Sequence, residues 1–143
     1  MLKNIPKILS PELVKTLMEM GHGDEIVLGD GNFPAETCGR RVVRCDGLPV
    51  PALLDAILQL FPLDTYVDAP VMLMETAADD AFVPAIWETY KQSVEQYAPG
   101  TKIAEIERFA FYERAKAAYC VVATGEEAIY ANIILKKGVV RAE

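Results

Sequence analysis

The sequence predicts one α/β domain in which helices flank a mixed β-sheet. Segments with helical periodicity alternate with short apolar runs along most of the chain, and this alternation is typical of layered α/β folds. Near the C-terminus, strand-like residues 119–123 and 129–135 are separated only by turn formers at 124–127, which predicts a hairpin and therefore antiparallel pairing. No internal repeat or Gly/Ser-rich linker interrupts the chain, so we expect a single domain over residues 1–143.

Three segments have the signals of longer helices. Ser10-Pro11-Glu12 supplies an N-cap hydroxyl, a proline at the first helical position and an acid in the first turn, and Gly21 is the predicted stop. Residues 50–61 have apolar side chains at i, i+3, i+4, i+7, i+8 and i+11 before a proline. A third helix follows Pro84, and we interpret Trp87 and Tyr90 on its apolar side as core aromatics rather than a ligand cage.

The remaining elements are short and are predicted from apolar runs bounded by turn residues. The predicted strands are 25–29, 41–45, 71–74, 103–108, 119–123 and 129–135, with a loop at 30–34 and a short helix at 111–117.

Charge and hydropathy exclude several classes of protein. The net charge is −7 and no run of lysine or arginine is interleaved with aromatics, so the footprint of a nucleic-acid binder is missing and a neutral or cationic small ligand fits better. No apolar stretch reaches the roughly 20 residues of a membrane span, and the N-terminus lacks the apolar core of a secretory signal. We therefore expect a cytoplasmic protein with no membrane partner, in which Cys38, Cys45 and Cys120 are reduced thiols.

His22 is the only histidine and lies between two glycines. A lone imidazole rules out sites that need two histidines, but a single histidine suffices for acid–base chemistry near neutral pH. The flanking glycines leave the ring uncovered. The alternative interpretation is a surface histidine at the C-cap of the first helix.

Polar side chains in the second half of the chain form a candidate binding patch. Tyr130 and Asn132 are two residues apart in the last predicted strand, so both side chains leave one face of the sheet and offer hydroxyl and amide groups to a neutral polyhydroxylated ligand. Arg108 ends a predicted strand, where α/β ligand sites gather. The alternatives are a solvated strand face for the pair, and for Arg108 a salt bridge with Glu105, Glu107 or Glu113.

Asp30 follows the first predicted strand and is either a site residue or a turn residue that bonds its own backbone. His22 and Asp30 flank that strand, and six extended residues between them would span roughly 20 Å. If both serve one site, the strand is shorter than predicted, the loops curl back, or the site joins two subunits.

Motifs along nearly the whole chain resemble the L-fucose mutarotase family. The D-ribose pyranase group, a sister group, shares the Gly-His-x-Asp segment but lacks Arg-Phe-x-Phe-Tyr-Glu-Arg. The matching segments run in order from about residue 1 to residue 139: Ser10-Pro11-Glu12-Leu13, Met20-Gly21-His22-Gly23-Asp24-Glu25-Ile26, Asn32-Phe33-Pro34-Ala35, Asp46-Gly47-Leu48, Pro62-Leu63-Asp64-Thr65-Tyr66, Arg108-Phe109-Ala110-Phe111-Tyr112-Glu113-Arg114-Ala115, Ala123-Thr124-Gly125-Glu126 and Leu135-Lys136-Lys137-Gly138-Val139.

The resemblance implies an isomerase that interconverts the α and β anomers of L-fucose with no cofactor and no metal. In this family the residue matching His22 is the proton donor, and the positions matching Asp30, Arg108 and Tyr130 to Asn132 contact the sugar. Members assemble into ring-shaped homo-oligomers, often decamers, with sites near subunit contacts. One departure is Ala131, which stands where bacterial members commonly have glycine.

Mutarotation needs little machinery, because general acid–base catalysis by one histidine with a hydroxyl or carboxylate is typically worth about 10²–10⁴-fold. Two alternatives remain open: a D-ribose pyranase-type mutarotase, and a non-enzymatic monosaccharide-binding accessory protein of sugar uptake. We also expect a homo-oligomer. The apolar share of 52% is more than one small core buries comfortably, and aromatic residues beside Arg108 are candidates for a subunit contact.

Overall fold

The computed structural model describes residues 1–142, and residue 143, the last of the predicted domain, lies outside the described residues. The described part folds as one domain with five helices and a six-stranded sheet. The helices are α1 (Pro11–Glu19), α2 (Ala35–Cys38), α3 (Val50–Leu58), α4 (Ile86–Tyr97) and α5 (Arg108–Ala117). The strands are β1 (Glu25–Gly29), β2 (Val42–Cys45), β3 (Val71–Met74), β4 (Ile103–Ile106), β5 (Cys120–Thr124) and β6 (Ile133–Lys136).

The sheet is mixed, as the sequence predicts, but the hairpin prediction is wrong. The strand order is β2-β5-β1-β6-β3-β4, and β6 runs antiparallel to both of its neighbours. β1 lies between β5 and β6, so Val27 pairs with Val121 on one side and with Ile134 on the other. The segment 125–132 is therefore not a tight turn but a connection that crosses the end of β1, where the Gly31 N–H donates to the Glu126 carbonyl at 2.8 Å.

This topology gives the sheet two distinct ends. Strands β1 to β5 all point the same way, so their C-termini meet at one end together with the start of β6. We call this the carboxyl end of the sheet. The amino end holds the starts of β1 to β5 and the last residues of β6.

Helices cover both faces of the sheet, and each face has its own core. On one face the buried side chains of Ile26, Leu28 and Ile133 pack against α1, α3 and α4. On the other face Val27, Val121 and Ile134 pack against α2 and α5. Alternate residues of one strand thus enter opposite cores, which fixes the register, because a one-residue slip would exchange the two faces.

The longer helices form where the sequence predicts them. The Ser10 hydroxyl accepts the Leu13 N–H at 3.1 Å and caps α1. In α4, Tyr90 is fully buried and Trp87 packs against the same core, as expected for core aromatics. Within the described residues, no helix combines the length and apolar character needed to cross a membrane.

The predicted stop of α1 at Gly21 is confirmed: the helix ends at Glu19 with Met20 as its C-cap, and the Lys137 ammonium donates to the carbonyl of Leu17 at 2.8 Å and to that of Met20. Two other predictions about element ends are wrong. α5 begins at Arg108 rather than 111, because the Glu107 carboxylate accepts the first free N–H groups of the helix. Consequently Arg108 starts a helix instead of closing a strand.

The second error concerns the last strand, which starts at Ile133 and not at 129. Residues 129 and 130 form a turn, and Tyr130 has a left-handed backbone with φ of 56°. Tyr130 and Asn132 therefore do not share a strand face. The alternation of apolar and polar residues at 129–133 resembles a strand, but tertiary contacts described below hold the backbone in a turn.

Candidate active site

The five predicted site residues fall into two groups at opposite ends of the sheet. His22 precedes β1 at the amino end. Asp30, Arg108, Tyr130 and Asn132 lie at the carboxyl end, after β1, after β4 and before β6. The five residues of β1 separate the groups by roughly 17 Å at about 3.3 Å per residue. The structure brings four of the residues to one end but does not bring His22 to them within one chain.

Hydrogen bonds on both sides of His22 restrain the loop that contains it. The Asp24 carboxylate accepts the Gly21 N–H at 2.8 Å, and Gly23 has a φ of 88°, which only glycine adopts readily. The Gly23 N–H donates to the Lys137 carbonyl at 2.8 Å, so the loop is joined to the end of β6. The imidazole projects from a fixed turn with 45% of its side chain exposed.

A buried carboxylate orients the imidazole. His22 Nε2 lies 3.0 Å from Asp64 Oδ1, while the Asp64 side chain is only 3% exposed. Burial acts to raise the pKa of Asp64, but hydrogen bonds from the Tyr66 N–H and from His22 outweigh it and leave the pKa below its ordinary value of 3.8. Asp64 is therefore ionised and can only accept, so Nε2 carries the hydrogen and Nδ1 is the atom left for a ligand.

At the carboxyl end, Asp30 and Asn132 form one buried polar unit. Asn132 Oδ1 accepts the Asp30 N–H at 2.8 Å, and the Asp30 carboxylate accepts the N–H groups of Asn32 at 3.0 Å and Ala131 at 3.4 Å. Burial raises the pKa of Asp30 against the effect of these hydrogen bonds, and the nearby Glu126 charge adds to the rise. Both side chains are buried, so the expectation of a solvated strand face is wrong for Asn132.

Arg108 and Tyr130 are the exposed members of this group. Arg108 Nε donates to the Tyr112 hydroxyl at 3.0 Å rather than pairing with Glu105, Glu107 or Glu113. Its pKa is raised mainly by that hydrogen bond, and the Tyr130 hydroxyl contributes.

The Tyr130 hydroxyl joins the turn to the loop after β3. It accepts the Ala77 N–H at 3.2 Å and donates to Asp80 Oδ2 at 3.4 Å. The Tyr130 ring lies 6.4 Å from the Phe82 ring. The carboxyl end thus offers a guanidinium and a phenol beside a buried carboxylate, which suits a small ligand rich in hydroxyl groups.

Comparison with known proteins shows the family of the chain. Residues 3–140 match the RbsD / FucU transport protein family. The chain belongs to this family.

Among its relatives, the fucose mutarotase of Homo sapiens is 51% identical over 96% of this chain and 94% of its own length. The L-fucose mutarotase of Histophilus somni is 50% identical over 97% of each chain. A crystal structure of the Streptococcus pneumoniae fucose mutarotase in complex with L-fucose has a TM-score of 0.93 and 55% identity, covering 98% of this chain and all of that one. Bacillus subtilis RbsD complexed with D-ribose shares the fold at a TM-score of 0.69 and 22% identity.

Sequence reasoning did not single out Asp64, the candidate site residue that the structure places against His22. It lies 42 positions from His22, and no periodicity or spacing joins the two. The one available signal was that Asp64 lies within the Pro62–Tyr66 motif of the resemblance. Among the described residues, no group of three or more His, Cys, Asp or Glu side chains is placed to hold a metal ion.

Proposed function

We propose that this protein is an isomerase that interconverts the α and β anomers of L-fucose by general acid–base catalysis. The observation that supports this most directly is a half-exposed, single imidazole backed by a buried carboxylate, in a chain 55% identical to a fucose mutarotase solved with L-fucose. No redox change or group transfer is needed, because mutarotation only moves protons and one C–O bond.

The reaction balances with two proton transfers. A proton reaches the ring oxygen while the anomeric hydroxyl loses one, the bond between C1 and the ring oxygen breaks, and an open-chain aldehyde forms. Rotation about the C1–C2 bond and closure on the other carbonyl face give the other anomer, and the protons return. We assign the donor role to Nδ1 of the doubly protonated His22 ring, since Nε2 is bound to Asp64, and a water molecule takes the proton that the anomeric hydroxyl loses. We assign binding of the sugar hydroxyls to Asp30, Arg108, Tyr130 and Asn132.

The separation of the two groups leads us to propose a site shared between subunits. Around His22, the exposed apolar side chains include Met18, Tyr66 and Val140; at the other end, Phe82, Phe109 and Ile129 are exposed near Arg108 and Tyr130. Contact between the amino end of one copy and the carboxyl end of the next is heterologous and would close a ring. We propose a homo-oligomeric ring, a decamer as the family resemblance implies, in which each site takes His22 from one copy.

Mixed assemblies test the shared site. His22→Gln and Arg108→Ala are expected to be nearly inactive alone. In co-expressed 1:1 rings, about one quarter of the contacts pair an intact amino end with an intact carboxyl end, so about a quarter of the activity should return. A site contained in one chain predicts no recovery, and that result would refute the shared site.

We also propose a cytoplasmic location. Cys38, Cys45 and Cys120 are buried, unpaired thiols, which fits a reducing compartment.

Saturation-transfer NMR on anomer exchange tests the function directly. We expect the purified protein to accelerate exchange of L-fucose above the spontaneous rate, and His22→Gln to remove at least about 10²-fold of that acceleration. Faster exchange of D-ribose than of L-fucose would indicate pyranase activity. Binding of L-fucose without faster exchange would show a sugar-binding protein instead.

A further inference from the structure

Helix α4 sends two aromatic side chains to the backbone of the turn that holds Tyr130. The Trp87 indole N–H donates to the Tyr130 carbonyl at 2.8 Å. The Tyr90 hydroxyl donates to the carbonyl of Ala131 at 2.7 Å. Two consecutive carbonyls of the turn are therefore bound by residues three positions apart on one face of one helix.

The turn needs these contacts because its backbone is strained. Tyr130 has a φ of 56°, a left-handed conformation that residues other than glycine seldom adopt without surrounding support. The Ala131 peptide group is held on both sides, since its N–H donates to Asp30 at 3.4 Å and its carbonyl accepts from Tyr90. Loss of the carbonyl contacts would allow φ to relax and would carry the Tyr130 hydroxyl away from its present position.

Trp87 and Tyr90 each carry a hydrogen-bond donor that core packing alone does not require. A phenylalanine would fill either position on the apolar face of α4, but it would leave a turn carbonyl without its donor. Tyr90 is fully buried, and burial, with the charges of Glu126 and Asp30, raises the pKa of its phenol so that the hydroxyl remains a donor.

We propose that Trp87 and Tyr90 are positioning residues of the sugar site, which hold residues 130–132 in the conformation that binds substrate. Neither residue touches the reacting atoms in this assignment, because both act through the backbone of the turn. The inference rests on the proposed function for the identity of the ligand, L-fucose.

Variants of α4 that each remove one hydrogen-bond donor provide the test. Tyr90→Phe removes only the hydroxyl that binds the turn, and Trp87→Phe removes the indole N–H. Tyr97→Phe is the matched control, because its hydroxyl lies on the same helix but donates to Asp55 at 2.9 Å. In the NMR exchange assay, at equal concentrations of folded protein, we expect KM for L-fucose to rise about three- to tenfold in the first two variants and to stay unchanged in the control.

A double variant separates positioning from general structural support. If Tyr90 acts through the turn, Tyr90→Phe should raise KM much less in a Tyr130→Phe background than in the wild type. An equal rise in both backgrounds, an unchanged KM in both Tyr90→Phe and Trp87→Phe, or an equal rise in Tyr97→Phe would each overturn the inference.

Hydrogen exchange without sugar distinguishes failure of this inference from failure of the proposed function. Amides of residues 129–132 should exchange faster in Tyr90→Phe and Trp87→Phe than in Tyr97→Phe. If the wild type does not act on L-fucose but this difference is found, the proposed function falls and the positioning of the turn stands. If the turn amides are equally protected in all three variants, the positioning role is refuted even when the wild type is active.

Discussion

Asp64→Asn is the most informative single change, because it removes a charge behind His22 with almost no change in shape. The asparagine amide oxygen still accepts a hydrogen bond from Tyr66 or His22, so packing at this buried position is retained. What disappears is the ionised acceptor 3.0 Å from His22 Nε2. That acceptor fixes which ring nitrogen faces the buried carboxylate and orients the imidazole for proton transfer to the sugar.

The size of the effect follows from the contact. A hydrogen bond to a charged group is worth about 1.5–3 kcal/mol. Because the His22 side chain is 45% exposed, water replaces part of the interaction, and we expect a loss of about 1–2 kcal/mol in transition-state stabilisation. This corresponds to a decrease in kcat of roughly 5- to 30-fold, smaller than the loss of at least about 10²-fold expected for His22→Gln.

The assay is anomer exchange of L-fucose by saturation-transfer NMR, with kcat and KM resolved by varying the sugar concentration. Asp55→Asn is the control, since its carboxylate accepts from the Tyr97 hydroxyl at 2.9 Å. We expect the double variant Asp64→Asn/His22→Gln to be no slower than His22→Gln alone, because Asp64 acts through the imidazole. A folded Asp64→Asn protein with wild-type kcat would refute this reasoning.

Three further outcomes are expected. Asn132→Ala leaves the buried Asp30 N–H without its acceptor at 2.8 Å, so urea unfolding should show a loss of about 1–3 kcal/mol, whereas Tyr130→Phe should mainly weaken turnover. The pKa of Asp64 is lower in the folded protein than its ordinary value of 3.8. The ionised carboxylate therefore adds to the free energy of unfolding fully above about pH 5, and this contribution is lost as the pH falls through the folded pKa, below 3.8. The difference in unfolding free energy between wild type and Asp64→Asn should shrink in acid. Along a dilution series, light scattering should show the mass of the assembly falling, and the anomer-exchange rate of the same samples should fall with it. A fully active monomer would contradict this.

The elements that the sequence predicts well are those that local pattern decides. The runs that become β1 and β3 are short, apolar and bounded by turn residues, and Ser10 caps α1 as predicted. Strand pairing is different in kind, because β6 inserts between β1 and β3 through contacts far apart along the chain. Two strands adjacent in sequence were thus predicted to pair, although β1 separates them.

The candidate site shows the same limit. Asp30 and Asn132 were each identified singly, yet their hydrogen bond joins positions 102 residues apart and buries both side chains. The residues at 129–133 alternate as in a strand, but hydrogen bonds to the Asp30 carboxylate and to the donors on α4 accompany a turn at Tyr130 instead. The local secondary-structure preference of a segment is overridden where its buried donors and acceptors must be paired by residues elsewhere in the chain.

The geometry also narrows the three ways in which His22 and Asp30 could serve one site. β1 keeps its five residues, because it is paired on both sides, so the strand is not shorter than predicted. The loops cannot curl toward each other without losing the bond from Gly23 to Lys137 at one end and that from Asp30 to Asn132 at the other. If His22 and the carboxyl end serve one site, they therefore belong to different chains, which is why we propose that activity depends on assembly in this protein.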